Sequence, residues 1–293
     1  MSLIDKIIYQ QVELALLEDV GPGDVTTLAC IDAKRVRAEI TAKSDGVLAG
    51  LTVAAAVFKK SDKGVEFHAL KKDGDSFRKG DMIASLGGDG GAILTAERTA
   101  LNFLGHLSGI ATLTAKFVEK VKGTKAKILD TRKTIPGLRY LEKYAVTCGG
   151  GVNHRFGLYD MALIKDNHIV AGGSITEAVN RMKIFLTSDE FGKRFSASPM
   201  EVEIEVEVEN DNQLREAVAC GIKRLLLDNQ SVERLAGLVK TARGLSEGLL
   251  LEASGNITLN NVKQVAETGV DYISIGALTH SAPSSDFSLE IIS

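Results

Sequence analysis

KILDTRKTIPGLRYLEKYAVTCGGGVNHRFGLYDMALIKDNHI, Lys127 to Ile169, opens a pattern that the rest of the chain repeats. An apolar run (KILD) ends on polar residues, a helical stretch follows over 137–148, and a second run (DMALIK) ends on Lys165 and Asn167. The stretch gathers Arg132, Lys133, His154, Arg155, Lys165 and His168 beside turn formers and at the ends of apolar runs. A solvated surface scatters its charges and balances their signs. Cations on neighbouring loops suit a small, multiply anionic molecule instead.

Downstream the same grammar recurs: EVEIEVE (201–207), RLLLD (224–228), LLLEAS (249–254) and DYISIG (271–276), with helices expected over 174–190, 211–220, 231–243 and 258–268. Continuous apolar runs alternating with helices indicate parallel strands buried on both faces. Six such runs predict an α/β fold with an incomplete (β/α) barrel of TIM-like type; a doubly wound open sheet is the alternative. No G-x-G-x-x-G follows an early strand, which lowers the odds of a dinucleotide fold. The polar residues fall at the run ends: Glu205 and Glu207, Asp228 and Asn229, Ser254, Gly255 and Asn256, Gly276 and Ala277. Each alone could be a helix cap. Together they would converge on one mouth of a barrel.

The first third reads differently. Residues 3–18 have mainly helical spacing, and Gly21-Pro22-Gly23 stops them. Strands are expected at VRAEITAK, GVLAG and VEFHAL, with a short apolar helix over 51–60. In GDSFRKGDMIASLGGDGGAIL, Gly74-Asp75, Lys79-Gly80-Asp81 and the Gly87 to Gly91 cluster are expected to supply bends. Biotinyl and lipoyl carrier domains share this hairpin grammar, and Lys79 would be the attachment point. No Met-Lys signature surrounds it, so a small α/β domain with a curved sheet is the preferred reading. A long helix is expected from Thr95 to Val121, with Leu101, Leu104, Leu107 and Ile110 as its core stripe. Arg98 sits beside Glu97 on it, and the bland reading of Arg98 is a surface ion pair.

A net charge of -3 argues against a dedicated nucleic-acid binder. Three cysteines, Cys30, Cys148 and Cys220, are odd in number and form no CxxC pair, so they read as reduced thiols of a cytoplasmic protein. Cys148 reads as a small buried residue. The amino terminus has no signal-peptide pattern. No apolar run approaches the roughly 18–20 residues of a membrane-spanning helix.

Three subsites separate by residue type. Arg132, Lys133, His154, Arg155 and Lys165 suit carboxylates or phosphates. Glu207 and Asp228 offer hard oxygen ligands of the kind that bind Mg2+ through one or two carboxylates plus substrate phosphates. They could instead be an acid and base for hydrolysis, although glycosidase sites rarely carry so dense a cationic ring. Ser254, Gly255, Asn256, Gly276 and Ala277 suit phosphate, because small residues let the backbone approach an anion. The combination implies transfer chemistry on a phosphorylated sugar, with a carboxylated acceptor beside the cations.

At these residues the chain resembles the quinolinate phosphoribosyltransferase family, the carboxylating nicotinate-nucleotide pyrophosphorylases. The matching stretches are LTAERTALNFLGHLSGIAT, the Lys127–Ile169 segment from ILDTRK onward, EVEVEN, LLLDN, EASGNIT and ISIGALTHS, with DVGPGDVTT nearer the amino terminus. The resemblance implies an amino-terminal open-faced α/β sandwich domain over 1–112, with the tail 280–293 packed on it. An incomplete β/α barrel follows over 113–279 and carries the active site. It implies phosphoribosyl transfer from phosphoribosyl pyrophosphate to quinolinate with decarboxylation, giving nicotinate mononucleotide in de novo NAD synthesis. Arg132, His154, Arg155 and Lys165 are then expected to hold the two quinolinate carboxylates, with Lys133 between acceptor and phosphates. Glu207 and Asp228 engage the ribose hydroxyls and the magnesium-bound donor, and Ser254, Gly255, Asn256 and Gly276 form the 5′-phosphate cradle. Arg98 is expected to reach the pocket of the partner subunit, so that the site is complete only in a homodimer. Asn256 departs from the Ser-Gly-Gly of some relatives and reads as a side-chain contact or a cap. Three other functions stay open: a relative associated with molybdate-transport genes, a nicotinate phosphoribosyltransferase, and a non-catalytic sugar-phosphate sensor.

Overall fold

The computed structural model describes residues 3–32, 34–195 and 202–292. The chain forms two compact units. One comprises Met1–Ala115, Lys133–Gly151 and Ala277–Ser293, and the other Lys116–Arg132 and Val152–Gly276.

In the first unit α1 (Leu3–Val20) stops at Gly21, which takes a left-handed φ of +52°. Asp24 caps α2 (Val25–Cys30) by accepting the Thr26 and Thr27 N–H groups. The strands are β1 (Arg35–Ala42), β2 (Gly46–Val47), β3 (Glu66–Ala69), β4 (Ser76–Phe77) and β5 (Met82–Asp89). β1, β3, β5 and the chain's last strand, Phe287–Ile291, make an antiparallel sheet in which β1 lies between the last strand and β5. The helix Leu51–Ser61 buries Leu51, Val53, Ala54, Val57 and Phe58.

Two local expectations are corrected here. GVLAG yields a strand of two residues only, because Gly50 turns left-handed at φ +102° and opens the next helix. The Gly87–Gly91 cluster makes no bend: β5 runs through Gly87 and Gly88, and the long helix Gly90–Lys120 follows directly. Glycine is needed at position 88 for close approach, since a Cβ there would stand 3.0 Å from the Val65 backbone.

The long helix seats the chain's tail. Ser285 N–H donates to Gly105 O at 2.9 Å, and a methyl on Gly109 would collide with the Pro283 carbonyl. Gly109→Ala should therefore dislodge the tail and cost about 1–3 kcal/mol in urea unfolding. Gly237→Ala is the control. It lies in open space on the helix Val232–Leu245, and should instead stabilise by about 0.5–1 kcal/mol.

The helix Arg139–Cys148 also belongs to the first unit, not to the barrel layer as the run-and-helix pattern suggests. Its contacts explain why. Glu142, fully buried, pairs with His106 of the long helix at 2.9 Å, and Tyr144 donates to Asp73 at 2.9 Å. Cys148 is half-buried, and burial pushes its thiol up to about 11, so it is no nucleophile at neutral pH.

The second unit is built on β6 (Lys127–Leu129), β7 (Ala162–Ile164), β8 (Ile204–Val208), β9 (Arg224–Asp228), β10 (Leu250–Ser254) and β11 (Tyr272–Ser274). All pairs are parallel, in the order β6-β11-β10-β9-β8-β7. Among the described residues these six strands, with β6 and β7 at the ends of the order, make the incomplete barrel expected from the apolar runs. The stretch 174–190 divides at Ser188, whose hydroxyl caps a separate short helix, Asp189–Arg194. Glu201, the first residue of the third run, lies outside the described residues. Among the described residues no helix is long and apolar enough to cross a membrane.

Candidate active site

Side chains alternate along a strand, so Glu205 and Glu207 of β8 share one face. In-register pairing puts Arg224 opposite Glu205, and Asp228 opposite Ser254. The same face therefore carries Arg224 and Asp228 of β9 and Glu252 and Ser254 of β10. Asp228 and Ser254 are partners at the ends of β9 and β10, and Glu207 is level with Leu226 and Glu252. Glu205, Arg224 and Glu252 each lie two or more residues nearer the start of their own strand than its last polar residue.

The deeper residues form a buried charge cluster with His154. Arg224 donates Nε to Glu205 at 3.1 Å, NH2 to Glu252 at 2.7 Å and NH1 to Glu203 at 3.1 Å. Its guanidinium lies 4.7 Å from the centre of the Tyr272 ring. His154 Nε2 stands 3.2 Å from Glu205 and 3.3 Å from Glu252, which are fully buried. Burial and the charge of Glu252 push Glu205 up. In Glu252 burial is outweighed by His154 and Arg224, which hold its carboxyl below the usual range. For His154 burial opposes the charged ring and the two carboxylates favour it, but Nδ1 already accepts the Arg155 N–H at 2.7 Å, so the ring is held as the neutral Nε2–H tautomer. His154 stood among the expected carboxylate ligands. Its side chain is only 7% exposed, and its ring faces this cluster.

Arg132 and Arg155 are the complementary case. The Arg132 Nε is buried with no hydrogen-bond partner among the described residues. Arg155 donates to Met161 O at 3.2 Å, and burial followed by the charge of Arg132 lowers its pKa. Two guanidiniums that repel each other, one with a buried unmet donor, call for an anion. Lys165 is exposed just after β7, and its charge acts on Glu207. His168 serves locally: its Nδ1 accepts the Lys165 N–H at 3.0 Å and caps the helix Asp166–Gly172.

Glu207 is raised to about 7, first by burial and then by the charge of Asp228, against the pull of Lys165. Two carboxylates close enough for the charge of Asp228 to raise Glu207 fit a divalent cation. His154, Glu205 and Glu252 also place ligand atoms within 4.8 Å of one another. Arg224 already grips both of those carboxylates, however, and is the cation held between them. Since folding raises the Glu207 pKa, its ionisation destabilises the fold as pH rises from 4.5 through about 7. In a chelator, Glu207→Gln should therefore be more stable than wild type above pH 7, by about 1 kcal/mol after allowing for solvent screening. The gain should disappear near pH 5, which thermal melts at both pH values check.

The cradle residues are linked to this pair. Asn229 donates its amide to Asp228 at 2.7 Å and accepts from the Asn256 amide at 3.2 Å, while its backbone N–H bonds Ser254 O at 2.9 Å. Asn229 and Asn256 are left-handed, at φ +51° and +52°, a region that Asn tolerates. A Cβ on Gly255 would collide with the Asn229 amide oxygen, so glycine is required there. Gly276 ends the second unit after β11, and Ala277 opens the short helix Ala277–His280 of the first.

Arg98 and Lys133 also belong to the first unit. The Lys133 carbonyl accepts the Thr279 hydroxyl at 2.7 Å. Arg98 is exposed, and its charge pulls on the Glu97 carboxyl, which burial pushes up, without closing an ion pair among the described residues. Arg224 and Glu252, and the pairing of Glu205 with them, went unseen in the sequence. The available signal was a step of two back from each strand-end residue, from Glu207 to Glu205 and from Ser254 to Glu252, with Arg224 on the same parity as Asp228.

The chain matches the family of quinolinate phosphoribosyl transferase C-terminal domains over residues 110–290 and that of the N-terminal domains over residues 24–108. It is 44% identical over 275 residues to a probable carboxylating nicotinate-nucleotide pyrophosphorylase of Bacillus subtilis, covering 94% of this chain and 90% of that one. The solved nicotinate-nucleotide pyrophosphorylase of Francisella tularensis superposes with a TM-score of 0.89 at 39% identity, covering 98% and 96% of the two chains. NadC of Streptococcus pyogenes gives 0.89 at 40% identity over the full length of both. With both domain families matched in order, the chain belongs to the quinolinate phosphoribosyltransferase family.

Proposed function

We infer that the protein joins the ring nitrogen of quinolinate to the ribose of phosphoribosyl pyrophosphate, releasing pyrophosphate. Loss of carbon dioxide then gives nicotinate mononucleotide, a step of de novo NAD synthesis. Within this family, the observation that carries the reading is the Arg132–Arg155 pair, with its mutual repulsion and buried unmet donor.

Arg132, Arg155 and Lys165 hold the acceptor's two carboxylates and fix the direction of its ring nitrogen. As pyrophosphate departs, the sugar carbon becomes oxocarbenium-like, and the nitrogen attacks from the opposite face. Glu207 and Asp228 hold the ribose hydroxyls and face the developing positive charge, and no covalent nucleophile is needed. Mg2+ bound by Glu207, Asp228 and the donor's phosphates would neutralise charge on the leaving group. Lys133, next to Arg132 in the chain, serves the phosphates, and the Ser254–Asn256 turn with Gly276 and Ala277 receives the 5′-phosphate. In the second step the bond to the carboxylate beside the ring nitrogen breaks. Its electron pair stays on the ring carbon next to the cationic nitrogen, and a proton from solvent replaces the carbon dioxide.

The enzyme acts as a homodimer in which Arg98 of the partner subunit completes the carboxylate clamp. Its place of action is the cytoplasm, where three unpaired thiols persist. Arg98→Ala and Lys165→Ala subunits, each inactive alone, should regain activity when mixed into heterodimers; no recovery in verified heterodimers counts against the shared clamp. The activity itself is tested by offering quinolinate or nicotinate with phosphoribosyl pyrophosphate and Mg2+. Nucleotide formed from quinolinate is expected, and turnover of nicotinate alone would overturn the reading.

A further inference from the structure

We propose that His154 is a positioning residue, tying the segment that bears Arg155 to the buried Glu205–Arg224–Glu252 cluster instead of meeting the substrate itself. This rests on the assignment of Arg132 and Arg155 to the acceptor's carboxylates.

The segment is fixed first by its backbone. Val152 N–H donates to Ile128 O at 2.9 Å, and Asp130 N–H to Val152 O at 3.3 Å, laying the chain beside β6. The buried Asp130 carboxylate then accepts the His154 N–H at 2.9 Å. The ring supplies the remaining link. Nδ1 accepts the N–H of Arg155 at 2.7 Å, which leaves Nε2 as the donor facing Glu205 and Glu252. Those two carboxylate oxygens are buried with no hydrogen-bond partner among the described residues, so the close approach of His154 Nε2 is the polar contact they have. Both ring nitrogens are therefore committed inside the protein.

Such an anchor has a clear purpose here. Arg132 repels Arg155, so without an anion the pair tends to spread. A site is held most accurately by groups on rigid strands. Glu205 sits on β8 and Glu252 on β10, and Arg224 of β9 between them grips both, so neither carboxylate can swing. Through His154 that rigidity reaches the amide of Arg155. A direct ligand would turn an N–H to the substrate, and His154 has none left to turn.

The test is steady-state kinetics of the full-length protein carrying His154→Gln, Glu252→Gln or both. Each single change should raise the KM for quinolinate about tenfold and leave that for phosphoribosyl pyrophosphate within about twofold, and the double variant should be no worse, because both break one link. A raised KM in His154→Gln with none in Glu252→Gln would show a direct ligand. Equal loss in both KM values and kcat would show a merely structural role, and either result overturns the proposal. Should Glu252→Gln not fold, His154→Gln against His154→Ala decides. Gln retains an N–H for the carboxylates and should recover part of the affinity lost in the Ala variant; equal KM values would overturn the proposal. Failure of wild type to use quinolinate would be visible separately, and would remove the functional reading and this inference together.

Discussion

Arg224→Met should cost about 3–5 kcal/mol of stability at neutral pH, the range found when one partner of a buried ion pair is removed. Wild-type Arg224 meets Glu203, Glu205 and Glu252 and stacks on Tyr272. Met fills much of the volume but leaves two fully buried carboxylates facing only His154. The sign with pH follows from linkage. In the variant both carboxylates lose a cation, so their folded pKa values rise above the unfolded value near 4.5. The penalty is complete above those raised values and shrinks as pH falls through them, because protonation removes the unpaired charge. Urea unfolding near pH 8 and near pH 5 should thus show a wide gap from wild type that narrows in acid. The exposed pair Arg194–Glu190 is the reference: Arg194→Ala should change stability by no more than about 0.5 kcal/mol.

Arg155→Met should behave in the opposite way. Activity should collapse, with kcat/KM for quinolinate falling about 10²–10³-fold, as expected for truncating one member of a desolvated charge pair with the substrate. Stability should stay level or rise, because Arg155 pays for burial and for the charge of Arg132 in the folded protein. Kinetics paired with a melt of the same variant checks both halves. A variant that unfolds would make Arg155 a structural arginine like Arg224, and a variant with intact kcat/KM would remove it from the clamp.

These two arginines also mark what could be read in advance. Arg155 stands in a glycine-rich loop between apolar runs, where a cation has no structural excuse, and its type and place suffice to single it out. Arg224 and Glu252 stand inside RLLLD and LLLEAS, where apolar neighbours define the run and make one charged member look incidental. Only the register of β8, β9 and β10 shows that these residues answer one another. The barrel strands were legible because fully buried parallel strands give continuous runs. The helix Arg139–Cys148 was misplaced because periodicity reports an apolar face but not which unit covers it. The Gly87–Gly91 cluster misled for a related reason. Glycine serves close backbone approach as well as turns, and only the neighbouring chain at Val65 distinguishes the two.

Quinolinate labelled at the carboxylate beside the ring nitrogen gives the most direct test of the central claim. With phosphoribosyl pyrophosphate and Mg2+, labelled carbon dioxide and nicotinate mononucleotide should appear in equal amounts, and neither should form when the phosphoribosyl donor is withheld. Nucleotide that retains the label, or no nucleotide at all from quinolinate, would contradict the account.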